Sequence, residues 1–540
     1  MWRWAALLPR QHVRCLVQQR RASTTDSTFA YHTVGTSPPF GLGPRIIFFG
    51  GDHVSVVALE AIHKNLQLFA HMHSCSYALH VVCPTLSLKG VAAADGFHCP
   101  SSQTQQHSSS PIASSSSSSP LVPPSSLNDL KAALQRHKHH FPVARYCAEH
   151  SIPCSPVDHV SSISKSSLLK YSSPNGCAGA KASFDASVVV SFRYFLPGKL
   201  LDELPPTINL HPSLLPRYRG ASPIYTTMLR GEQTGGYSII KILKNETMDC
   251  GDILRQETMP IPLESDIRTY FPNVTGAGAS GLCKVLFGTD LRQRQGNHAI
   301  DGATTLTSNR QFTTREAWLA SFKSVWDAAT VQVDKPTELK KDPFHAPLLD
   351  RHRATLCFHT QVNVDVHNTW RAFAGGKHHR IHPTAILDKA ATPCAQQQLD
   401  REEKKLRRNT DEAALASQNE ATAALPSTTA RDRLRVTFVV VEAAHFSLVS
   451  SAVNCELLEI ERRYFATKNK PIPAGSAYFP SGDSDICAVK CREGWFFWRA
   501  GILQNSTQQP ALRLRQGLAM KCGVVYEGLF CKHPHEAFSL

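Results

Sequence analysis

The segment INLHPSLLPRYRGASPI, residues 208–224, holds the residue types best suited to chemistry. It follows a short apolar run and leads into ASPIYTTMLRG (221–231), a predicted helix with Pro223 in its first turn and Gly231 at its end. Asn209 and His211 are two residues apart, so in an extended segment their side chains point to the same side. Downstream, MDCGDIL (248–254) places Asp249 just before Gly251. A carboxylate on a tight glycine turn can reach back to a neighbouring strand edge and orient an imidazole. An amide, an imidazole and a carboxylate suffice for proton transfer and for stabilising an oxyanion, with neither a metal nor a covalent nucleophile. Each residue alone also has a plain structural use: Asn209 as a strand-end hydrogen bonder, His211 as a half-buried packing residue before Pro212, Asp249 as a turn residue.

The elements that must position these residues are legible around them. RIIFFG (45–50) ends in Gly50–Gly51 and is followed by VSVVALEAIHKNL, which reads as strand, turn and helix. The G-x-G-x-x-G spacing of a dinucleotide site is absent. YALHVVC (77–83), FDASVVVSFRYFLP (184–197, a strand running into a loop), Ile208–Leu210, GYSIIKIL (236–243) and DILRQETMPI (252–261) read as further strands, and NDLKAALQRH (128–137) and PVARYCAEHSI (142–152) as helices. Alternating helix and strand predicts a Rossmann-like, mostly parallel sheet, in which Asn209 and His211 sit at the carboxyl edge, where such folds bind ligands. Ser-rich insertions near 95–126 and 160–183 lack the apolar content to form a core. Residues 291–354 read as a connector. Beyond 355 the pattern changes: LRVTFVVVEA (434–443), CELLEIERRYF (455–465), DICAVKC (485–491) and GWFFWRAGIL (494–503) read as strands without intervening helices, as in a small OB-like β-barrel over 355–540, interrupted by a charged insertion near 385–432.

The chain has 540 residues, enough for two or three domains, and a formal net charge of +15 that favours a polyanionic partner. No run of about 18 apolar residues occurs, so no membrane span and no membrane partner is expected. Residues 1–30 carry five Arg before the first acidic residue, Asp26, as a transit peptide does, which places the protein in an organelle such as the mitochondrial matrix. The sixteen Cys form no C-x2-C framework, and Cys487 and Cys491 would share one strand face by packing alone. The His clusters at 137–140 and 378–382 read as solvated basic loops, and no metal is expected.

NLHPSLLPRYRG resembles the signature of the folate-dependent formyltransferases, and more narrowly that of the methionyl-tRNA formyltransferase family, N-x-H-x-S-x-L-P-R-(W/Y)-R-G followed by A-P-I. The family's D-x-G-(D/P)-I-L is similar to Asp249–Leu254, and VVVSFRYFLP to its V-V-V-A-(Y/F)-G-x-x-L-P. VNVDVHNTWRAF (362–373), IPAGSAYFP (472–480) and VKCREGWFFWRAG (489–501) resemble parts of its C-terminal domain, so the likeness covers most of 44–540. The resemblance implies a catalytic domain over 44–290 and a C-terminal tRNA-binding domain over 355–540. It implies that Asn209 holds the formyl oxygen, that His211 assists proton movement and stabilises the tetrahedral intermediate, and that Asp249 orients the imidazole. The co-substrate would be 10-formyltetrahydrofolate, lying near Phe192, Leu196, Pro197, Ser213, Leu214, Leu215 and Pro216. The partner would be initiator methionyl-tRNA, met by Lys89, Arg217, Arg219, Arg499, Arg513, Arg515 and Lys521, with the protein working as a monomer in mitochondrial translation initiation. Three features depart from the pattern: Gly51 replaces a Thr, Arg193 replaces a Gly, and SLKG (87–90) stands where bacterial members carry an Arg-containing loop. The alternatives are another formyl-folate enzyme (formyltetrahydrofolate hydrolase or sugar-amine formyltransferase) and a catalytically degenerate tRNA-binding protein.

Overall fold

The computed structural model describes residues 42–84, 142–157, 160, 163, 184–244, 246–294, 314–374, 382–393, 395, 401, 435–483 and 485–532. The expected helix at 128–137, the transit segment, most of both Ser-rich insertions, Lys89 and the 137–140 His cluster lie outside these residues. The chain forms two compact units. One comprises Met1–Pro223, Gly235–Met259 and Asn273–Leu348; the other comprises Ile224–Thr234, Pro260–Pro272 and Leu349–Leu540.

The elements through the first part of the connector are β1 (Leu42–Gly50), α1 (His53–His73), β2 (Ser76–Pro84), α2 (Pro142–Glu149), β3 (Cys154–Val157), β4 (Ala186–Val190), α3 (Gly198–Leu201), β5 (Thr207–His211), α4 (Pro223–Leu229), β6 (Thr234–Lys241), β7 (Ile253–Pro260), α5 (Ile267–Phe287) and α6 (Arg315–Asp327). The seven strands form one sheet in the order β3-β2-β1-β4-β5-β6-β7. The pairs from β3 to β5 are parallel and β5–β6 is antiparallel. This is the mostly parallel Rossmann-like sheet expected from the alternation, and its order reverses between β1 and β4. The β1–α1 turn is closed by a capping box. Asp52 Oδ1 accepts from the Ser55 N–H (3.1 Å), while Ser55 Oγ accepts from the Gly51 N–H (2.9 Å) and donates to the Val190 carbonyl (2.6 Å). One hydroxyl thus ties together the ends of the two strands at the reversal.

Helix α5 is absent from the sequence reading; its TGAGASG run and Pro272 are poor helix formers. The glycines serve packing. A Cβ on Gly278 would lie 2.7 Å from Leu210 Cδ1 of β5, and one on Gly281 would overlap the Tyr237 ring of β6. Gly281→Leu is therefore expected to lower stability by roughly 1–3 kcal/mol or more. Gly276, whose Cβ position meets nothing within 4 Å, should gain up to about 1 kcal/mol on replacement by Ala. Denaturant midpoints of the two variants check the contrast.

The C-terminal elements are α7 (Asn363–Phe373), β8 (Thr384–Asp388), β9 (Arg435–Ala444), α8 (Ser451–Lys468), β10 (Ala477–Tyr478), β11 (Cys487–Lys490), β12 (Trp495–Leu503), β13 (Gln509–Pro510), α9 (Ala511–Gly517), β14 (Val525–Tyr526) and β15 (Phe530–Cys531). The strands form an eight-stranded sheet in the order β14-β10-β11-β12-β9-β8-β15, with β13 on β12; the resolved pairings are antiparallel. Among the described residues the ladder pairings run from β14 to β15, and the Phe530 N–H of β15 also donates to the Gly475 carbonyl (2.9 Å), two residues before β10, so the antiparallel sheet curls back toward its own far end. Cys487 and Cys491 do share a face: both are buried in the cluster of Phe438, Phe496, Trp498 and Phe530. One element corrects the sequence reading. CELLEIERRYF is not a strand but part of helix α8. Ser450 caps it by accepting from the Val453 N–H (3.3 Å), and Val453, Leu457 and Tyr464 are its buried residues at helical spacing.

Three buried histidines set an acid limit on stability. Burial pushes His63 and His80 down to about 4 and His367 to about 3. Each is neutral in the fold, while the unfolded chain takes up the proton near pH 6.5. Their contribution is complete above pH 6.5 and is lost as pH falls toward 4 to 3, at up to about 1.4 kcal/mol per pH unit for each. Chemical unfolding at pH 7 and pH 5 should show the decline, and His80→Gln should reduce it.

Candidate active site

β5 ends at His211 and delivers Asn209 and His211 to the carboxyl edge of the sheet, as their two-residue spacing predicts. Asp249 comes from the β6–β7 connection and has φ +60°, the left-handed region that an Asp adopts more readily than most side chains. That turn brings the carboxylate back to β5. Asp249 Oδ1 accepts from Asn209 Nδ2 (3.4 Å), and Oδ2 accepts from the Gly220 N–H (3.0 Å) and lies 3.6 Å from His211 Nδ1. The other imidazole nitrogen, Nε2, is 2.9 Å from the Tyr218 carbonyl. A carbonyl only accepts, so Nε2 carries a proton and donates it, and Nδ1 faces the carboxylate. His211 and the Asp249 side chain are almost entirely removed from solvent. The structure thus brings all three residues together. Cys250, in the same turn, is buried, and burial pushes its thiol above its ordinary value; it is protonated at neutral pH and offers no thiolate.

The 212–218 loop is stapled from behind by residues without a sequence signal. Ser238 Oγ donates to the Ser213 carbonyl (2.7 Å) and accepts from the Leu215 N–H (3.0 Å), and Gln256 Nε2 donates to the Leu215 carbonyl (2.9 Å). Leu215–Pro216 is cis. Ser213 is buried, with its hydroxyl on the Arg217 carbonyl (2.8 Å), and Leu215 is buried; Leu214 and Pro216 are half-buried. Ser213 therefore shapes the loop and has no free hydroxyl facing a ligand. On the loop after β4, Leu196 joins the core with Ile47, Phe49 and Val189, and Phe192 packs edge-on to Phe49 at 5.4 Å. Pro197 is exposed, and so is Phe195, at 61%, a side chain that the sequence reading did not single out. The positive φ of this loop falls on Ser191 (+46°), whose hydroxyl donates to Asp52 (2.5 Å), so Arg193 stands where no glycine conformation is required.

The basic residues separate. Arg217 is exposed, with its guanidinium 4.8 Å over the Phe344 ring. Arg219 is a correction to the expected nucleic-acid contacts. It is 2% exposed, and its guanidinium is bound to Asp342 (2.9 Å) and Gln332 (2.9 Å), so it cannot meet a phosphate. In the C-terminal unit Arg499, Arg513 and Lys521 are exposed, and Arg515 is partly buried with Nη1 near the Met520 carbonyl (3.4 Å). Among the described residues no group of three or more His, Cys, Asp or Glu is placed to hold a metal ion, and no helix is long and apolar enough to cross a membrane.

Residues 126–286, which contain Asn209, His211 and Asp249, match the formyl transferase family. The chain carries a formyl transferase domain. Methionyl-tRNA formyltransferase of Streptococcus pneumoniae (strain Hungary19A-6) is 36% identical over 106 residues, which are 20% of this chain and 33% of that protein. The match therefore spans about a third of the length of the curated relatives. Among solved structures, an N-formyltransferase from Helicobacter canadensis aligns at 10% identity over 85% of this chain and 99% of its own, with a TM-score of 0.37. A sugar N-formyltransferase from a Shewanella species aligns at 12% identity over 63% and 92%, with a TM-score of 0.35.

Proposed function

We propose that this protein transfers the formyl group of 10-formyltetrahydrofolate to the amine of initiator methionyl-tRNA, acting as a monomer in the mitochondrial matrix. The observation that carries the reading is the convergence of Asn209, His211 and Asp249 at one strand end inside a formyl transferase domain. The pneumococcal relative, the net charge of +15 and the exposed Arg217, Arg499, Arg513 and Lys521 support a tRNA as the acceptor. The Arg-rich opening segment supports the compartment.

In this reading the amine nitrogen attacks the formyl carbon, the formyl oxygen takes up negative charge, and the carbon–N10 bond breaks as the intermediate collapses. Asn209 has one amide hydrogen directed at Asp249 and a second for the oxyanion. His211, held through Nε2–H on Tyr218, exchanges a proton at Nδ1, so that one proton leaves the amine and one reaches N10. Asp249 stabilises the imidazolium that forms. The folate would lie against the loop after β4 and the 212–218 loop.

Incubating the purified protein with labelled 10-formyltetrahydrofolate and Met-tRNA is the test. Label on the methionine amine is the expected result. Labelled formate released without tRNA would mark a hydrolase, and tRNA binding without turnover would mark a degenerate binder; either overturns the reading.

A further inference from the structure

We propose that Gln332 is a positioning residue for formyl transfer, acting through the Asp249 turn; the inference rests on the reaction proposed above. Gln332 lies some 80 residues beyond that turn, in the connector after α6, and is buried between two exposed neighbours, Val331 and Val333. Its Nε2 donates to the Asp249 carbonyl (2.9 Å) and to the Gly251 carbonyl (2.7 Å), so a single amide group holds both carbonyls of the turn. Its Oε1 accepts from Arg219 Nη2 (2.9 Å), which fixes which end of the amide faces the turn.

The connector that carries Gln332 is itself pinned on both sides. Thr330 and Ile253, the first residue of β7, exchange backbone hydrogen bonds of 2.8 and 2.7 Å. Ala346 donates to the Arg219 carbonyl (2.7 Å), and Ala346 forms a bridge with Gly220, whose N–H donates to the Asp249 carboxylate. The connector therefore reaches Asp249 twice, through its backbone carbonyl and through the loop that binds its carboxylate.

A non-glycine residue at φ +60° persists where its surroundings over-determine it. Here the hydrogen bonds at the carbonyls of Asp249 and Gly251 supply that constraint. Without them the turn can relax toward right-handed backbone, which swings the carboxylate away from His211 Nδ1. A displacement of about 1 Å in a catalytic group can cost on the order of 100-fold in rate.

The test is Gln332→Met, which keeps the length and volume of the side chain and removes the amide. The expected result is a kcat for formyl-Met-tRNA about 10- to 100-fold lower, with KM for both substrates within about twofold. In an Asp249→Asn background the same change should alter kcat by less than about twofold, because the group through which it acts is already gone. Full activity in the single variant, or an equal loss in both backgrounds, overturns the proposal. Gln332→Asn keeps the amide one methylene shorter and serves where the Met variant does not fold, with a smaller loss in the same direction expected. If the wild-type protein makes no formyl-Met-tRNA, the functional reading has failed, and hydrogen exchange decides on the clamp separately. Gln332→Met should speed exchange in 247–252 by about tenfold relative to the rest of the unit, and unchanged exchange there overturns it.

Discussion

Asp249→Asn is expected to lower kcat for formyl transfer by roughly 100- to 10,000-fold, the range typical of disabling a proton-transfer residue, here by removing the charge that supports the His211 imidazolium, while leaving folate binding nearly intact. The carboxylate accepts on both sides, from Asn209 Nδ2 at Oδ1 and from the Gly220 N–H at Oδ2. An asparagine has one oxygen. Turned toward Gly220, it presents its NH2 to the NH2 of Asn209; turned the other way, it presents NH2 to the Gly220 N–H. Either orientation sets donor against donor and removes the negative charge 3.6 Å from His211 Nδ1. His211→Ala should cost about as much, and the double variant little more than either single one, because the two residues act as a unit. Single-turnover rates with folate affinity measured in parallel check this. Additive losses would show that the two residues serve separate steps.

The part of this site that was legible in the sequence is the part that is contiguous. Asn209 and His211 share one strand end, and Asp249 stands beside a glycine in a recognisable string, so type and spacing sufficed. Gln332, Asp342, Ser238 and Gln256 were not legible, because each is an isolated polar residue whose partner lies 18 to 123 positions away. Arg219 was misassigned for a related reason: two arginines flanking one tyrosine look alike in sequence, and only the fold separates the exposed Arg217 from the buried Arg219. At the level of elements, strands with continuous apolar runs such as ASVVV were read correctly. Helix α5 was hidden by glycines that exist for close packing, whereas α8 was legible but misread: its Glu, Leu and Arg favour a helix, and the Ser450 cap and the helical spacing of Val453, Leu457 and Tyr464 mark one.

Removing the Arg219 guanidinium should strongly destabilise the first unit. Its Nη1 meets Asp342 Oδ2 (2.9 Å) and the Asp334 carbonyl (3.3 Å), and its Nη2 meets Gln332 Oε1 (2.9 Å) and the Val333 carbonyl (3.4 Å). Arg219→Met leaves the Asp342 carboxylate buried without its cation, a defect that typically costs about 3–5 kcal/mol. Arg219→Lys should recover only part of this, because an ammonium on a single stem cannot reach Asp342 and Gln332 with a planar fork. Pairing Arg219→Met with Asp342→Leu should restore much of the loss, since it removes the orphaned charge along with its partner. Denaturant midpoints of the three variants measure these terms. Under the proposed function, the salt dependence of tRNA binding separates this role from phosphate contact. A residue that neutralises no phosphate leaves the slope of log K against log salt unchanged, whereas loss of a true contact lowers it by roughly 0.7–0.9. Folded Arg219→Lys should therefore keep the wild-type slope and Arg217→Ala should reduce it. A reduced slope for Arg219→Lys would mean that the Asp342 pair opens when nucleic acid binds.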